Sequence, residues 1–340
     1  MFPALTRPRV QAFNRAKARI LAGVLSLCAI TSASACPFPP PAVHDIQVMR
    51  YDSGTAVIKP EPAILDERED DASPVRDYLR IVVSEADISF VQETESLGTY
   101  RAKCALEWLE VWARADALLG AAKSSDAIAE RRGALSGAAL AYIKVKPSAS
   151  PEQAAAVEAW LSKLAITAQF DFAETSTKTR IDRYWLMLSL GATAVATKND
   201  AMWQTARVMM EDAVKTITAD GMLPLEPSRP SFALEDQARA LMPLTAMAEL
   251  ARSRGEDWYT FNNGALDRLV ALTARGIETP DVFKKLSGFD QEQPLNIQSG
   301  WLPLYLLERP QGLADASFEM PSGHAWLGGN VLLLNHALKK

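Results

Sequence analysis

The sequence predicts an all-α protein: an incomplete α/α toroid (barrel) of antiparallel helix pairs with an irregular N-terminal arm. Three observations carry this. Apolar residues recur at three- and four-residue steps after Pro74, most clearly in Cys104, Trp108, Val111, Ala115 and Leu118, the period of a helix face. Alanine and leucine dominate the middle of the chain, while glycine and proline fall mostly between the apolar runs, so helix formers fill the elements and breakers separate them. The runs are roughly 10–17 residues long with short turns between, which suits antiparallel helix pairs stacked in a ring. No strand-like alternation rivals them, and no strict sequence repeat supports a regular solenoid.

The elements follow in order. Residues 1–35 read as a signal peptide. Arg7, Arg9, Arg15, Lys17 and Arg19 form a positive region, Ile20 to Ile30 an apolar one, and Ala33-Ser34-Ala35 a small-residue cleavage pattern. The apolar run is too short to span a bilayer, which takes about 20 residues, and no second run of spanning length follows. Cys36 directly after the cut also raises a lipoprotein reading, weakened by Ala33 where leucine is usual. Cys28 leaves with the signal. Cys36 and Cys104 then remain, an even count that suggests one disulfide in an oxidising compartment. Residues 36–72 form an arm, stiffened by Pro37, Pro39, Pro40 and Pro41, with Ile46–Met49 and Ala56–Ile58 as short extended pieces. Residues 73–340 are the helical domain. Helices are expected over Ala134–Tyr142, Ala154–Phe170, Ile181–Thr197, Trp203–Ile217, Leu234–Leu250 and Leu266–Gly276, and the third, apolar nearly all round, reads as an inner helix.

Composition excludes several functions. The chain has 340 residues, 48% of them hydrophobic, enough for one large core. A net charge of -5 with no basic block argues against nucleic acid. His44, His324 and His336 are scattered without metal-ligand spacing, and neither a Gly-rich phosphate loop nor a Gly-x-Ser-x-Gly elbow is present, so no metal and no cofactor is expected.

Several segments resemble the alginate lyase family, polysaccharide lyase family five. Cys104-Ala-Leu-Glu-Trp-Leu and Trp112-Ala-Arg-Ala-Asp-Ala-Leu are similar to its "CALxWLxxWARAxAL" helix. Tyr184-Trp185 with Ala192-Thr-Ala-Val-Ala-Thr resembles the helix after its "NNHSYW" motif, and Asp220-Gly-Met-Leu-Pro resembles "DGFLPNE". Asn263-Gly-Ala-Leu-Asp-Arg-Leu, Trp301-Leu-Pro-Leu-Tyr and Leu327-Gly-Gly resemble "HGALQRL", "WLEPY" and "RLGG". The segments are collinear from about residue 36 to 330. The resemblance implies a toroid with a cleft for an acidic polysaccharide, periplasmic residence, and cleavage of uronic-acid polymers by β-elimination. That reaction needs the substrate carboxylate neutralised, a base for the proton on the carbon beside it, and an acid for the leaving oxygen.

The family's catalytic positions hold other side chains here. "NNHS" falls on Arg180-Ile181-Asp182-Arg183, so the family's histidine is Asp182 and the asparagine before it Ile181. The family's catalytic tyrosine falls on Arg239 and its arginine on Phe232, with Arg229 and Glu226 nearby. A lid lysine falls on Arg50, followed by Tyr51. Guanidinium is too basic to trade a proton near neutral pH, but it grips carboxylates well. Asp182, Arg239 and Tyr184 are therefore the expected catalytic residues. Arg180, Arg183, Arg229, Asp236, Arg50, Tyr51 and Trp301 are the expected substrate contacts, with Trp326 a second aromatic candidate for the cleft. Each has a plainer reading: Arg239, three and four residues after Asp236 and Glu235, suits a helix-surface ion pair, and Asp182 suits a first-turn helix charge. The expected function is a periplasmic polysaccharide lyase acting on an anionic polymer. The alternative is a catalytically inactive polysaccharide-binding or export-assisting protein of exopolysaccharide metabolism, partnered by the secretion machinery.

Overall fold

Helices supply every regular element among the described residues of the computed structural model, which are 36–46, 73–91, 94–175, 179–226, 229–309, 313 and 323–338. The expected signal peptide, arm residues 47–72 and the two candidate residues Arg50 and Tyr51 lie outside them. Eight longer helices come first: α1 (Ser73–Val91), α2 (Glu95–Arg114), α3 (Ser125–Val145), α4 (Pro151–Glu174), α5 (Arg180–Thr197), α6 (Asp200–Lys215), α7 (Ala233–Ser253) and α8 (Phe261–Glu278). Three short ones follow: α9 (Asp281–Ser287), α10 (Trp301–Glu308) and α11 (Val331–Leu338). No strand is present among the described residues, which bear only two isolated bridges, Ile46 with Ala122 and His324 with Gly329.

The helices form two layers. The odd-numbered ones pack on each other in succession, α1 on α3, α3 on α5 and α5 on α7. They are buried nearly all round from α3 to α7, as expected of an inner ring. The even-numbered helices lie outside, α2 against α4 and α6 against α8, each burying one stripe. α10 packs on α7 and α11 on α3, bringing the C-terminal segments back to the inner layer. This is the α/α toroid that the helical period predicted.

Large aromatics fill the space between layers. Trp108, Trp112, Trp160, Trp203, Trp258 and Trp301 are all fully buried, and such side chains dominate core energetics. Their indole N–H groups also fix loops: Trp160 donates to the Ala117 carbonyl at 2.8 Å, while Trp108 and Trp112 donate to Pro37 and Pro40 of the arm at 2.5 and 3.0 Å. The arm is held further by a disulfide between Cys36 and Cys104 of α2, and by Leu118 and Ile46 backbone N–H bonds to Val43 and Ala121 at 2.7 and 2.9 Å.

The C-terminal segment is latched by charge. Lys144 of α3 is buried and donates to Asp87 of α1, to the Gly328 carbonyl at 2.7 Å and to the Asn330 carbonyl at 3.0 Å. Burial pulls the Lys144 ammonium down and pushes the Asp87 carboxyl up, each partly offset by the other. Next to it His324 stacks against Trp185, ring centroids 5.9 Å apart, and its Nδ1 accepts from the Trp326 N–H at 3.2 Å. Trp326 lies across Gly133, where a Cβ would meet the indole at 2.1 Å.

Burial holds the His324 imidazole down at about 4. A folded pKa below the unfolded value of about 6.5 adds stability above that value, lost as pH falls through the folded pKa. Acidification from pH 6.5 to about 4 is therefore expected to remove up to about 3 kcal/mol. In His324→Asn, which keeps a side-chain acceptor for the turn, that component should be gone. Urea unfolding of both forms across this pH range measures it.

Candidate active site

The start of α5 is built by reciprocal capping. The Asp182 N–H donates to Thr179 Oγ1 at 3.1 Å, and Thr179 N–H and O–H donate to Asp182 Oδ2 at 3.1 and 2.8 Å. This capping box satisfies two otherwise orphaned helix-start donors. The other oxygen, Asp182 Oδ1, accepts from the buried Arg132 of α3. Both carboxylate oxygens of Asp182 are thus committed, Oδ2 to the α5 cap and Oδ1 to holding α5 against α3.

The segment after α6 brings the opposite wall. Gly221 takes φ +88°, and a Cβ there would lie 2.2 Å from the Arg268 carbonyl, so only glycine fits this turn. Leu223 N–H then donates to Gln237 Oε1 at 2.7 Å, fixing the run that follows to α7. Arg180 crosses from α5 to close on it, donating to the Pro224 carbonyl at 2.8 Å and to Glu226 Oε1 at 3.3 Å.

The first turns of α7 provide the third wall. Asp236 and Arg239, one turn apart, share a face. Arg229 stands over the Phe232 ring at 4.4 Å. Asp236 Oδ1 lies 3.7 Å from Arg229 and 3.9 Å from Arg239, yet makes no hydrogen bond. Burial raises its carboxyl, the two arginines pull it back, and Glu235 and Glu226 push it further up.

These walls enclose a cavity of about 270 Å³ lined by Arg180, Asp182, Tyr184, Arg229, Asp236 and Arg239, with Asp126, Glu226 and Gln237. Burial raises the Tyr184 hydroxyl, against Thr216, Arg180 and Arg183, with Glu226 adding to the rise. Glu226 thus raises both Tyr184 and Asp236, which places the two in one electrostatic setting. Tyr184 holds its proton at neutral pH, with its hydroxyl oxygen buried at the cavity wall. Asp236 can accept a proton. The arginines can hold an anion. Among the described residues no group of His, Cys, Asp and Glu could hold a metal ion.

Three sequence expectations change. Trp301 is fully buried and lines no part of this cavity; its apolar neighbours Leu302, Leu304 and Tyr305 are buried with it, making it core. Trp326 is likewise absent from the cavity and packs with Trp185 at 5.2 Å. Arg183 turns toward α6, where Asp212 accepts from it at 3.0 Å, and does not reach the cavity. Arg132 and Asp126 come from α3, far from any motif that points to the site, and carry no signal in the sequence.

A toroid of paired helices with a mixed-charge cleft between the starts of two inner helices defines the class. The chain belongs to the alginate lyase family, whose family model matches residues 85–283. A polysaccharide lyase of Stenotrophomonas maltophilia (strain K279a) is 35% identical over 314 residues, 91% of this chain and 93% of that one. An alginate lyase of Cobetia marina is 36% identical over 197 residues, 56% of this chain, and the chain spans about half of its length, 53%. Among solved structures, a variant of alginate lyase A1-III complexed with a tetrasaccharide shares the fold at a TM-score of 0.72, 21% identity, and coverage of 88% of this chain and 85% of that one. The relatives are named as polysaccharide and alginate lyases.

Proposed function

We propose that the protein cleaves an anionic, uronic-acid polysaccharide by β-elimination in the periplasm, after export through its N-terminal signal. The observation that carries this reading is the single cavity joining three arginines, a protonated phenol and a carboxylate of raised pKa. Arg229 and Arg239 neutralise the substrate carboxylate, which acidifies the proton on the carbon beside it. Guanidinium pairs with carboxylate in two parallel bonds, so orientation comes with charge. Tyr184 protonates the leaving glycosidic oxygen.

A second reading is a binding protein without turnover. It is favoured by the loss of the family's histidine and tyrosine, and by Asp182, whose two oxygens are already bonded.

Purified protein lacking residues 1–35 is incubated with a panel of uronic-acid polymers while the ultraviolet absorbance of unsaturated ends is followed. Absorbance that grows with time supports the lyase. Retention of a polymer on the immobilised protein without absorbance supports the binding reading. Neither signal on the whole panel would sink both.

A further inference from the structure

Resting on the lyase reading above, we infer that Asp236 is the base of the reaction, supplied one helical turn before the position where the family carries its tyrosine. Arg239 occupies that family position and cannot accept a proton. Asp182 occupies the histidine position, but its carboxylate is consumed by the α5 cap and by Arg132. Asp236 differs from it on each count. It lines the cavity, its side chain keeps 15% exposure, and its buried Oδ1 makes no hydrogen bond, so no cap or partner ties the carboxyl down.

The flanking guanidiniums explain how it would act. Arg229 and Arg239 stand 3.7 and 3.9 Å from Oδ1, too long for hydrogen bonds, and both face the cavity. Oδ1 itself is closed off between them, so a uronate carboxylate gripped by the same two arginines would present the neighbouring C–H to the outer oxygen of the Asp236 carboxyl, where the exposure of the side chain lies. The electron count closes without a co-reactant. The Asp236 oxygen forms a bond to the proton. The C–H electron pair becomes the new ring double bond, and the bond from the next ring carbon to the glycosidic oxygen breaks. The leaving oxygen takes a proton from Tyr184, and water exchange returns both groups to their starting states. Besides the two arginines, the charged groups facing Asp236 are Glu235 on its own helix and Glu226 on the opposite wall. Their negative charge raises its basicity.

The test uses the full exported chain and whichever uronic-acid polymer the panel shows to be cleaved. Asp236→Asn should lower kcat about 10²–10⁴-fold, leave KM within a few-fold, and leave the thermal midpoint unchanged or raised, because the substitution removes a carboxylate that burial disfavours. Asp236→Glu should retain measurable turnover, with the low-pH limb of its kcat profile displaced. A kcat for Asp236→Asn within about threefold of the parent, or a Glu variant whose low-pH limb does not move, overturns the assignment and leaves the lyase reading standing. Binding of polymers with no turnover by the parent removes both.

Discussion

Replacing Cys104 by serine is expected to lower stability by about 4 kcal/mol. The disulfide closes a loop of 68 residues, and a cross-link of that span removes chain entropy from the unfolded state worth about that much at 25 °C. The native side adds to it. The arm carries the carbonyls that satisfy the buried indoles of Trp108 and Trp112. An arm that swings away leaves two donors in the core, and an unmet buried donor costs about 1–3 kcal/mol. Urea unfolding of Cys104→Ser against the oxidised parent measures the difference. Reduction of the parent under native conditions should reproduce it. A loss below about 1 kcal/mol would mean that the arm's hydrogen bonds hold it without the cross-link.

Lys144→Met should cost about 3–5 kcal/mol. The ammonium is fully buried and serves Asp87 and two carbonyls of the C-terminal segment. Methionine fills similar space but leaves Asp87 as a half-buried charge whose remaining support is the Asn330 N–H at 2.6 Å. Breaking one side of such a pair costs far more than the intact pair contributes, because the uncompensated charge stays behind. Asp87→Asn in the same background should therefore recover part of the loss. Thermal unfolding of the three proteins decides it. No recovery would place the cost in the two carbonyls and not in the stranded carboxylate.

The helical layers were legible because the apolar period persists across whole elements. Val157, Trp160, Leu161 and Leu164 all fall on the buried side of α4, as their spacing requires. Boundaries were less so: α3 begins at Ser125, nine residues before the expected Ala134, because its first turns bury the charged Glu130, Arg131 and Arg132, which interrupt the apolar period. The short helices α9 to α11 are too brief to show a period. At the site, Arg180, Asp182 and Arg239 were legible through motif position. Arg132 was not, since its pairing with Asp182 spans 50 residues and only the packing of α3 on α5 creates it. Nor could sequence separate Asp182 from Asp236. One is an acid at a helix start with a threonine three residues before it, the other an acid one turn into a helix. Which of them keeps an oxygen free depends on neighbours supplied by other elements.

The arm's first residue has one further consequence. Cys36 spends its sulfur on Cys104. A sulfur atom that is half of a disulfide cannot also form the thioether that attaches a diacylglyceryl group. The staple to α2 and a lipid leash at Cys36 would thus exclude one another, because both need the same atom.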